Sequence, residues 1–183
     1  MTLPPDGLLA DPARLAVWLG VPADDPQLLA ALAAASARFR AAVRHPVSRV
    51  TGDTLTLYGD GTDRLALPVA PVLVVTSVAV DGEPVTDWRL RRDAGVLRRT
   101  LACGWPDWAE VVVVCDHGHD PVPDDVQEAV LDQARTVYTV QPGVQTVQAG
   151  AESVTYGAAA ATGVTAQWTT AVELYRLQRG DST

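Results

Sequence analysis

The chain contains no lysine, no isoleucine and no asparagine, and all fourteen of its basic residues are arginine. Without lysine it cannot supply the phosphate-binding lysine of a P-loop, nor can it form a Schiff base with pyridoxal phosphate. P-loop nucleotide hydrolases and pyridoxal-phosphate enzymes are therefore excluded. The absence of these three residue types together indicates a GC-rich coding sequence.

Long apolar runs and cysteines are also scarce. The longest aliphatic stretch, Leu28–Ala35, is much shorter than the roughly 20 residues that a membrane-spanning helix needs. Residues 1–6 lack the basic head of a signal peptide. The two cysteines, Cys103 and Cys115, are too few for a secreted disulfide framework. We expect a protein that is assembled in the cytoplasm, keeps its thiols reduced and has no membrane partner.

Positive charge is in short supply as well, because the formal net charge is −8 and the isoelectric point lies near 4.7. A surface of this average charge repels phosphate, whereas nucleic-acid-binding proteins carry a basic face. We therefore expect no specific binding of DNA. Apolar residues, by contrast, make up 48% of the 183 residues. That is enough to bury a core, so we predict a single domain over residues 1–183.

Residues 11–50 carry helical signals. Asp11-Pro12 and Asp25-Pro26 each combine an N-cap with a proline in the first turn, and Gly20 ends the first helix. In the second helix, apolar residues recur at steps of three and four, and Pro46 ends the helix at His45.

Residues 52–117 have the period of β-strands. A valine-rich run covers residues 72–80, and a last strand covers 110–116. Asp81-Gly82 is a strong hairpin signal, because a type I′ turn requires positive φ at both central residues. A second hairpin joins residues 88–90 to 96–97. This region predicts a mostly antiparallel sheet.

Residues 121–183 return to helical signals. Asp124 and Gln127 have the spacing of a capping box, and a closing helix covers about residues 166–179. Between these helices, residues 141–165 are rich in Gly, Ala and Thr and predict a flexible loop with one strand-like piece, Ser153–Tyr156.

These patterns together predict an α+β fold. We expect a small antiparallel helical core of about four helices, formed by residues 11–50 and 121–183. The mostly antiparallel β-sheet and hairpin region, residues 52–117, is inserted between the two parts of this core.

One short segment gathers several metal-ligand types, namely Cys115, His117 and His119, with Cys103 upstream. Structural zinc sites favour ligands in two pairs, a spacing that is missing here. A small metal-binding enzyme, or a protein-binding module that uses this segment, stays open as an alternative function. No histidine lies near a nucleophile elbow. We therefore assign no catalytic residue, no metal ligand and no cofactor, and predict that the chain is not an enzyme.

Two segments have the composition of docking surfaces. A hairpin that is basic on an acidic protein suits an acidic protein or a phosphate, although charges there also prevent edge-to-edge aggregation. Its residues are Trp88, Arg89, Arg91, Arg92, Arg98 and Arg99. The closing helix has an aromatic stripe and a basic end, which suits either a partner or the chain's own core. Its candidate partner interface consists of Trp168, Val172, Tyr175, Arg176 and Arg179.

The order of these elements resembles a known family. Two helices, a β-rich insertion, the pattern His-Gly-x-x-x-Val-Pro-x-Asp-Val at residues 117–126, a helix, an isolated Ser-Val-Thr-Tyr-Gly and a closing helix follow one another. This layout is similar to that of the head-to-tail connector, or adaptor (head-completion), proteins of long-tailed double-stranded DNA phages. The resemblance covers nearly the whole chain, and the pattern at residues 117–126 is its most specific part.

The resemblance implies a structural virion protein that is assembled in the host cytoplasm and located in the neck. Such a protein forms a homo-oligomeric ring of twelve copies under the portal protein, extends the DNA channel and offers a platform to a stopper or tail-completion protein. With this role, the partner of the closing helix is expected to be the portal protein. Double-stranded DNA passes through the lumen without specific binding. An acidic wall suits this task, because like charge lowers the adhesion of DNA.

Overall fold

The structure is a computed structural model that describes residues 7–101, 104–139, 146–149, 152–155 and 165–177. Helices and antiparallel strands both contribute, so the predicted α+β class is confirmed. Contacts divide the chain into two compact units. The helical unit lies within Met1–Arg44 and Val122–Arg176, and the β unit lies within His45–Pro121. That the chain behaves as one domain stays a prediction.

The described part of the helical unit contains four helices. They are α1 (Pro12–Leu19), α2 (Pro26–Val43), α3 (Asp124–Thr139) and α4 (Ala166–Tyr175). Asp11 caps α1 by accepting a hydrogen bond from the Ala13 amide, and Asp25 caps α2 by accepting one from the Leu28 amide. Both predicted N-caps are confirmed. No helix in the described part of the chain combines the length and the hydropathy that a membrane span requires.

Two helix ends differ from the prediction. Helix α2 ends at Val43, two residues before His45, because Arg44 adopts a left-handed conformation with φ 68°. At the start of α3, Gln127 does not complete a capping box. Its side-chain Nε2 donates to the carbonyl of Val122 at 2.8 Å. This bond joins the first turn of α3 to Val122, which lies two residues before the helix begins.

The core of the helical unit is formed by apolar side chains from all four helices. Its most buried large residues are Leu15, Leu28, Leu32, Phe39, Val126, Val130, Leu131 and Trp168. One buried hydroxyl joins a further segment to this core. Ser36 Oγ donates to the Leu32 carbonyl at 2.8 Å and accepts from the Leu9 amide at 3.2 Å. Residues 7–10, which precede α1, are thereby held against α2, and Leu9 is buried.

The β unit contains seven strands within its described residues. They are β1 (Val50–Tyr58), β2 (Arg64–Ala66), β3 (Val72–Val80), β4 (Glu83–Pro84), β5 (Trp88–Arg91), β6 (Val96–Arg99) and β7 (Glu110–His117). These strands form two antiparallel sheets, in the orders β1-β7-β3-β4 and β2-β6-β5. The Asp81-Gly82 turn between β3 and β4 has positive φ at both residues, as predicted.

Strand β7 is the centre of the larger sheet, since β1 and β3 pair with it on either side. Its side chains alternate strictly, and Val111, Val113, Cys115 and His117 are all buried. The core of the β unit also takes residues from the smaller sheet, including Leu97. Strand alternation therefore supplies one buried face per sheet.

Residues 141–165, for which we predict a loop, contain two paired strands. They are β8 (Thr146–Ala149) and β9 (Glu152–Thr155), which run antiparallel. The predicted strand-like piece Ser153–Tyr156 overlaps β9, and its Tyr156 lies outside the described residues. Both strands contain valine and threonine, whose β-branched side chains favour extended backbone. Apart from β8, β9 and Thr165, the segment lies outside the described residues.

Candidate interaction surfaces

Four arginines lie on the outer face of the sheet β2-β6-β5. Residue pairing places Arg98 between Arg64 and Arg89, so that the three form one row across the sheet. Arg91 lies two residues along β5 from Arg89 and therefore shares its face. We call Arg64, Arg89, Arg91 and Arg98 the arginine face. The leucines at alternating positions, Leu65, Leu90 and Leu97, belong to or pack against the core of the β unit.

Two aspartates neutralise part of the arginine face. Asp63 lies 2.6 Å from Arg98 Nε and 3.8 Å from Arg64 Nε. Asp93 lies 3.3 Å from Arg91 Nε, and the hydrogen bond from Arg91 lowers the pKa of Asp93. Among the described residues, Arg89 has no carboxylate within ion-pair distance. Because like charges in direct opposition destabilise a sheet, the unbalanced row costs stability.

The arginine face encloses a shallow cavity of about 330 Å³. Its lining consists of Arg64, Arg89, Leu90, Arg91, Val96 and Arg98. The lining of the cavity is therefore mainly arginine, and Leu90 and Val96 supply its aliphatic part. A surface of this kind accepts carboxylates that are carried on partly apolar segments.

Not every residue of the predicted docking hairpin joins this face. Arg99 binds Asp87 through two nitrogen–oxygen contacts of 2.9 Å, and its guanidinium lies 5.2 Å from the ring centre of Trp105. Trp88 packs against the core, and its indole Nε1 donates to the Val85 carbonyl. Arg92 is exposed in the turn. Sequence reasoning assigned Arg99 and Trp88 to a surface, whereas the structure uses both side chains within the β unit.

Arg64 is the member of the arginine face that sequence reasoning missed. It lies on β2, more than twenty residues before the hairpin, and reaches the face only because β2 pairs with β6. A short Arg-Leu-Ala strand gives little local signal. That the arginine face docks a partner stays a prediction at this point.

The closing helix packs on its own unit through one side. Trp168 meets Phe39 edge-on, with ring centres 5.2 Å apart, and Val172 is buried as well. Leu174 on this helix and Arg176, the residue that follows its last turn, are exposed. The helix ends at Tyr175 instead of continuing to residue 179, and Arg179 lies outside the described residues. The core interpretation therefore accounts for the aromatic stripe, while the assignment of this helix to a portal interface stays a prediction.

Tyr175 anchors the end of α4 to the start of α3. Its hydroxyl donates to Asp125 Oδ1 at 3.0 Å. Burial, followed by this hydrogen bond and the negative charge of Asp125, raises the pKa of Tyr175 to about 12. Each of these causes favours the neutral phenol over the phenolate.

We expect the Tyr175 contact to stabilise the fold fully below the unfolded-state pKa of about 10 and to be lost as the pH rises through about 12. The measurement is tyrosinate absorbance against pH, with the wild type compared to Tyr175→Phe. The difference between the two curves should have its midpoint near 12. In Asp125→Asn the midpoint should move down, because the negative acceptor is gone. A midpoint of about 10 in the wild type would refute this account of the anchor.

The Cys115–His119 segment covers the end of β7 and the two residues after it, and hydrogen bonds join it to β1 and to residues 47–49. His117 is fully buried, and its Nε2 lies 3.0 Å from Asp53 Oδ2 on β1. The backbone of His119 pairs with Val47 and Arg49. Burial raises the pKa of the Cys115 thiol, and the negative charges of Asp53 and Asp116 act in the same direction.

This segment does not form a cluster of metal ligands in the part of the chain that the structure describes. There, no three side chains of the types His, Cys, Asp and Glu come together to hold a metal ion. Cys103 lies outside the described residues. Buried Cys115 carries a raised pKa, which is the opposite of what a reactive thiol requires.

Several large apolar side chains of the β unit are exposed, which the sequence analysis did not predict. Tyr58, Leu101 and Trp108 are 60%, 87% and 81% exposed. The Trp108 amide donates to the Gly59 carbonyl at 3.0 Å, which brings Trp108 close to the end of β1. The sequence Trp-Pro-Asp-Trp at residues 105–108 offered a signal, but it could not tell buried Trp105 from exposed Trp108.

The fold has counterparts among solved structures. No family model matches the sequence, and no curated protein matches it. Three solved assemblies contain chains of similar fold, and in each comparison the match covers 100% of this chain and 96% of the other. The virion of the native gene transfer agent (GTA) particle matches at 23% identity and a TM-score of 0.65. The neck of the empty GTA particle with C6 symmetry matches at 22% and 0.60. The neck of the native GTA particle with C12 symmetry matches at 21% and 0.59.

These comparisons define the class of fold to which the chain belongs. It shares an α+β fold, over its whole length, with chains of GTA particles and of their necks. At identities of 21–23% the similarity concerns the fold.

Proposed function

We propose that the chain is a structural neck protein, a head-to-tail adaptor of a phage-like particle. In this role it forms a ring of twelve copies under the portal protein, extends the DNA channel and carries the stopper or tail-completion protein. The single observation that carries the proposal is the whole-chain similarity to chains of GTA particles and necks, at 100% and 96% coverage. Because the match spans the whole chain, the similarity is not limited to one common motif.

The symmetry of the similar assemblies supports a ring. Two of them are necks described with C6 and C12 symmetry. A closed ring needs a heterologous interface, in which two different patches of each copy meet. The chain offers chemically different patches, since a cationic sheet face occurs on a protein with a net charge of −8.

The electrostatics also suit a DNA channel. DNA must slide through a neck during packaging and ejection, so strong phosphate binding along the wall would hinder its passage. A protomer with a net charge of −8 repels phosphate on average. The role is structural, and it requires neither a catalytic residue nor a cofactor.

We place the portal contact on the exposed side of α4. Trp168 and Val172 hold this helix on its unit, and Tyr175 anchors its end. Exposed Leu174 and Arg176 are then free to meet the portal protein. An apolar residue beside a cation is a common composition of a docking helix.

The proposed function is tested by locating the chain in the particle. Cells that produce the particle are made to express the chain with a short peptide tag, and purified particles are labelled with gold-conjugated antibody. We expect gold at the junction of head and tail, and no gold on particles from the untagged strain. Cells that lack the gene should release filled heads without tails. Gold on capsid faces or tail tips, or normal tailed particles without the chain, would exclude an adaptor role.

A further inference from the structure

Repulsion between the guanidinium groups of the arginine face lowers the stability of the β unit, and no contact within the described residues requires this arrangement. The row of Arg64, Arg98 and Arg89 sets like charges in direct opposition, and Asp63 balances only part of them. We propose that the arginine face binds the acidic surface of a second copy of this chain, and so forms one side of the contact between neighbouring copies. The inference rests on the proposed ring and names the surface that closes it.

Charge complementarity identifies the occupant. Residues 88–99 carry five arginines and one aspartate, a net charge of +4, so the remainder of the chain carries −12. Two copies that approach at random repel each other, because both are acidic. The approach becomes favourable when the cationic face of one copy meets the acidic body of the next. Arginine suits this contact, since its guanidinium binds carboxylates through two parallel hydrogen bonds.

The same charges determine the symmetry of the contact. In a twofold dimer the same patch occurs on both sides of the interface. Two arginine faces cannot meet in this way, because like charges would be juxtaposed as the interface loses water. The contact is therefore heterologous, with the arginine face on one side and carboxylates on the other. Repetition of a heterologous contact produces a ring when the rotation closes.

A protein carboxylate fits this surface better than a DNA phosphate does. Asp63 and Asp93 lie at the arginine face and interrupt its positive charge, so the face offers separate cationic groups and not the continuous basic strip that a phosphate backbone requires. Val96 and Leu90 line the cavity between the guanidinium groups. Aliphatic lining adds nothing to phosphate binding, whereas it receives the apolar parts of a protein segment.

The absence of lysine allows a direct test. In Arg89→Lys, the new side chain carries the only lysine amine of the chain, at a position with no carboxylate partner among the described residues. A carbodiimide then joins this amine to a carboxylate that touches it, without a spacer. Purified full-length chains, half of them labelled with ¹⁵N, are mixed and cross-linked. Peptides that combine both isotopes report contacts between copies. Arg38→Lys is the matched control, because Arg38 is an exposed arginine on α2.

We expect mixed-isotope cross-links from Arg89→Lys to aspartate or glutamate of another copy, and about tenfold fewer from Arg38→Lys. Salt of about 1 M should suppress them, because it shortens the screening length to about 3 Å. Adding Arg64→Gln and Arg98→Gln in the Arg89→Lys background removes two cations without adding a carboxylate beside the lysine, and should lower the yield about tenfold as well, which corresponds to about 1.4 kcal/mol. Circular dichroism of each variant confirms that it is folded.

Three results would overturn the inference. The first is that Arg89→Lys gives no mixed-isotope cross-links. The second is that Arg89→Lys and Arg38→Lys give equal yields. The third is that the wild type retains a duplex DNA oligonucleotide and Arg89→Glu does not. The last result would assign the face to phosphate. A failure of the proposed adaptor role would be detected by a different experiment, because gold labelling measures the position of the chain in particles. Cross-linking measures only the contact between copies.

Discussion

Replacement of Trp168 by alanine is expected to lower the free energy of unfolding of the helical unit by about 3–5 kcal/mol. Trp168 is only 8% exposed, and its ring meets Phe39 edge-on at 5.2 Å. Removing the indole leaves a cavity beside Phe39 and removes the aromatic contact between α4 and α2. The measurement is urea denaturation followed by the helical circular dichroism signal.

Leu174→Ala is the matched control for this substitution. Leu174 lies on the same helix and is 68% exposed, so its truncation should change stability by no more than about 0.5 kcal/mol. A double-mutant cycle with Phe39→Ala should give a coupling energy of about 0.5–1.5 kcal/mol for the aromatic pair. Equal effects of Trp168→Ala and Leu174→Ala would mean that α4 is not held by this contact.

Substitutions at the same two positions separate the two roles predicted for the closing helix. If Trp168 acts through the core, Trp168→Ala particles should assemble normally at temperatures at which the variant is folded. Leu174→Asp should instead keep its stability and lose incorporation into portal-bearing heads, because it places a charge in the proposed docking contact. Normal incorporation of Leu174→Asp would locate the portal contact elsewhere.

Replacement of Gly118 by alanine is expected to destabilise the β unit by about 2–5 kcal/mol. Gly118 has φ 89°, where a side chain costs about 1–2 kcal/mol. In addition, a Cβ atom at this position would collide with the carbonyl oxygen of Ser48, and such overpacking costs about 1–3 kcal/mol. The backbone cannot easily move away, because the Gly118 amide donates to the Pro71 carbonyl at 2.9 Å. Thermal unfolding followed by the β-sheet signal measures the loss.

Gly82→Ala is the control that separates the cost of positive φ from the cost of the Cβ collision with Ser48. Gly82 has φ 83°, and a Cβ atom there would meet nothing within 4 Å. It should therefore lose only the conformational part, about 1–2 kcal/mol. The difference between the two variants measures the close approach of Ser48 to Gly118. If both lose the same amount, the contact with Ser48 relaxes without cost.

The Gly118 result bears on the pattern His-Gly-x-x-x-Val-Pro-x-Asp-Val, on which the family resemblance most depends. Its glycine has a structural reason, since positive φ and the contact with Ser48 both exclude a side chain. Its histidine is buried against Asp53. The pattern therefore describes how the end of strand β7 is built.

The arginine face shows where sequence reasoning reached its limit. The sequence pattern located a basic hairpin correctly, and period-2 alternation would separate Arg89 and Arg91 from Leu90. It could not add Arg64, because that residue joins the face through pairing with a distant strand. Nor could it remove Arg99, whose partners Asp87 and Trp105 are chosen by the tertiary fold.

Local sequence patterns correctly predicted the features that depend on residues close together in the chain. These include the N-caps at Asp11 and Asp25, the Asp81-Gly82 turn, the strand periods and the α+β class. Such features follow from backbone sterics and hydrogen bonds within a few positions. By contrast, the contact of Trp168 with Phe39 and the position of Arg64 beside Arg98 could be seen only in the folded chain. The physical reason is that these neighbours are set by strand register and helix packing between distant segments, for which a local pattern carries no information.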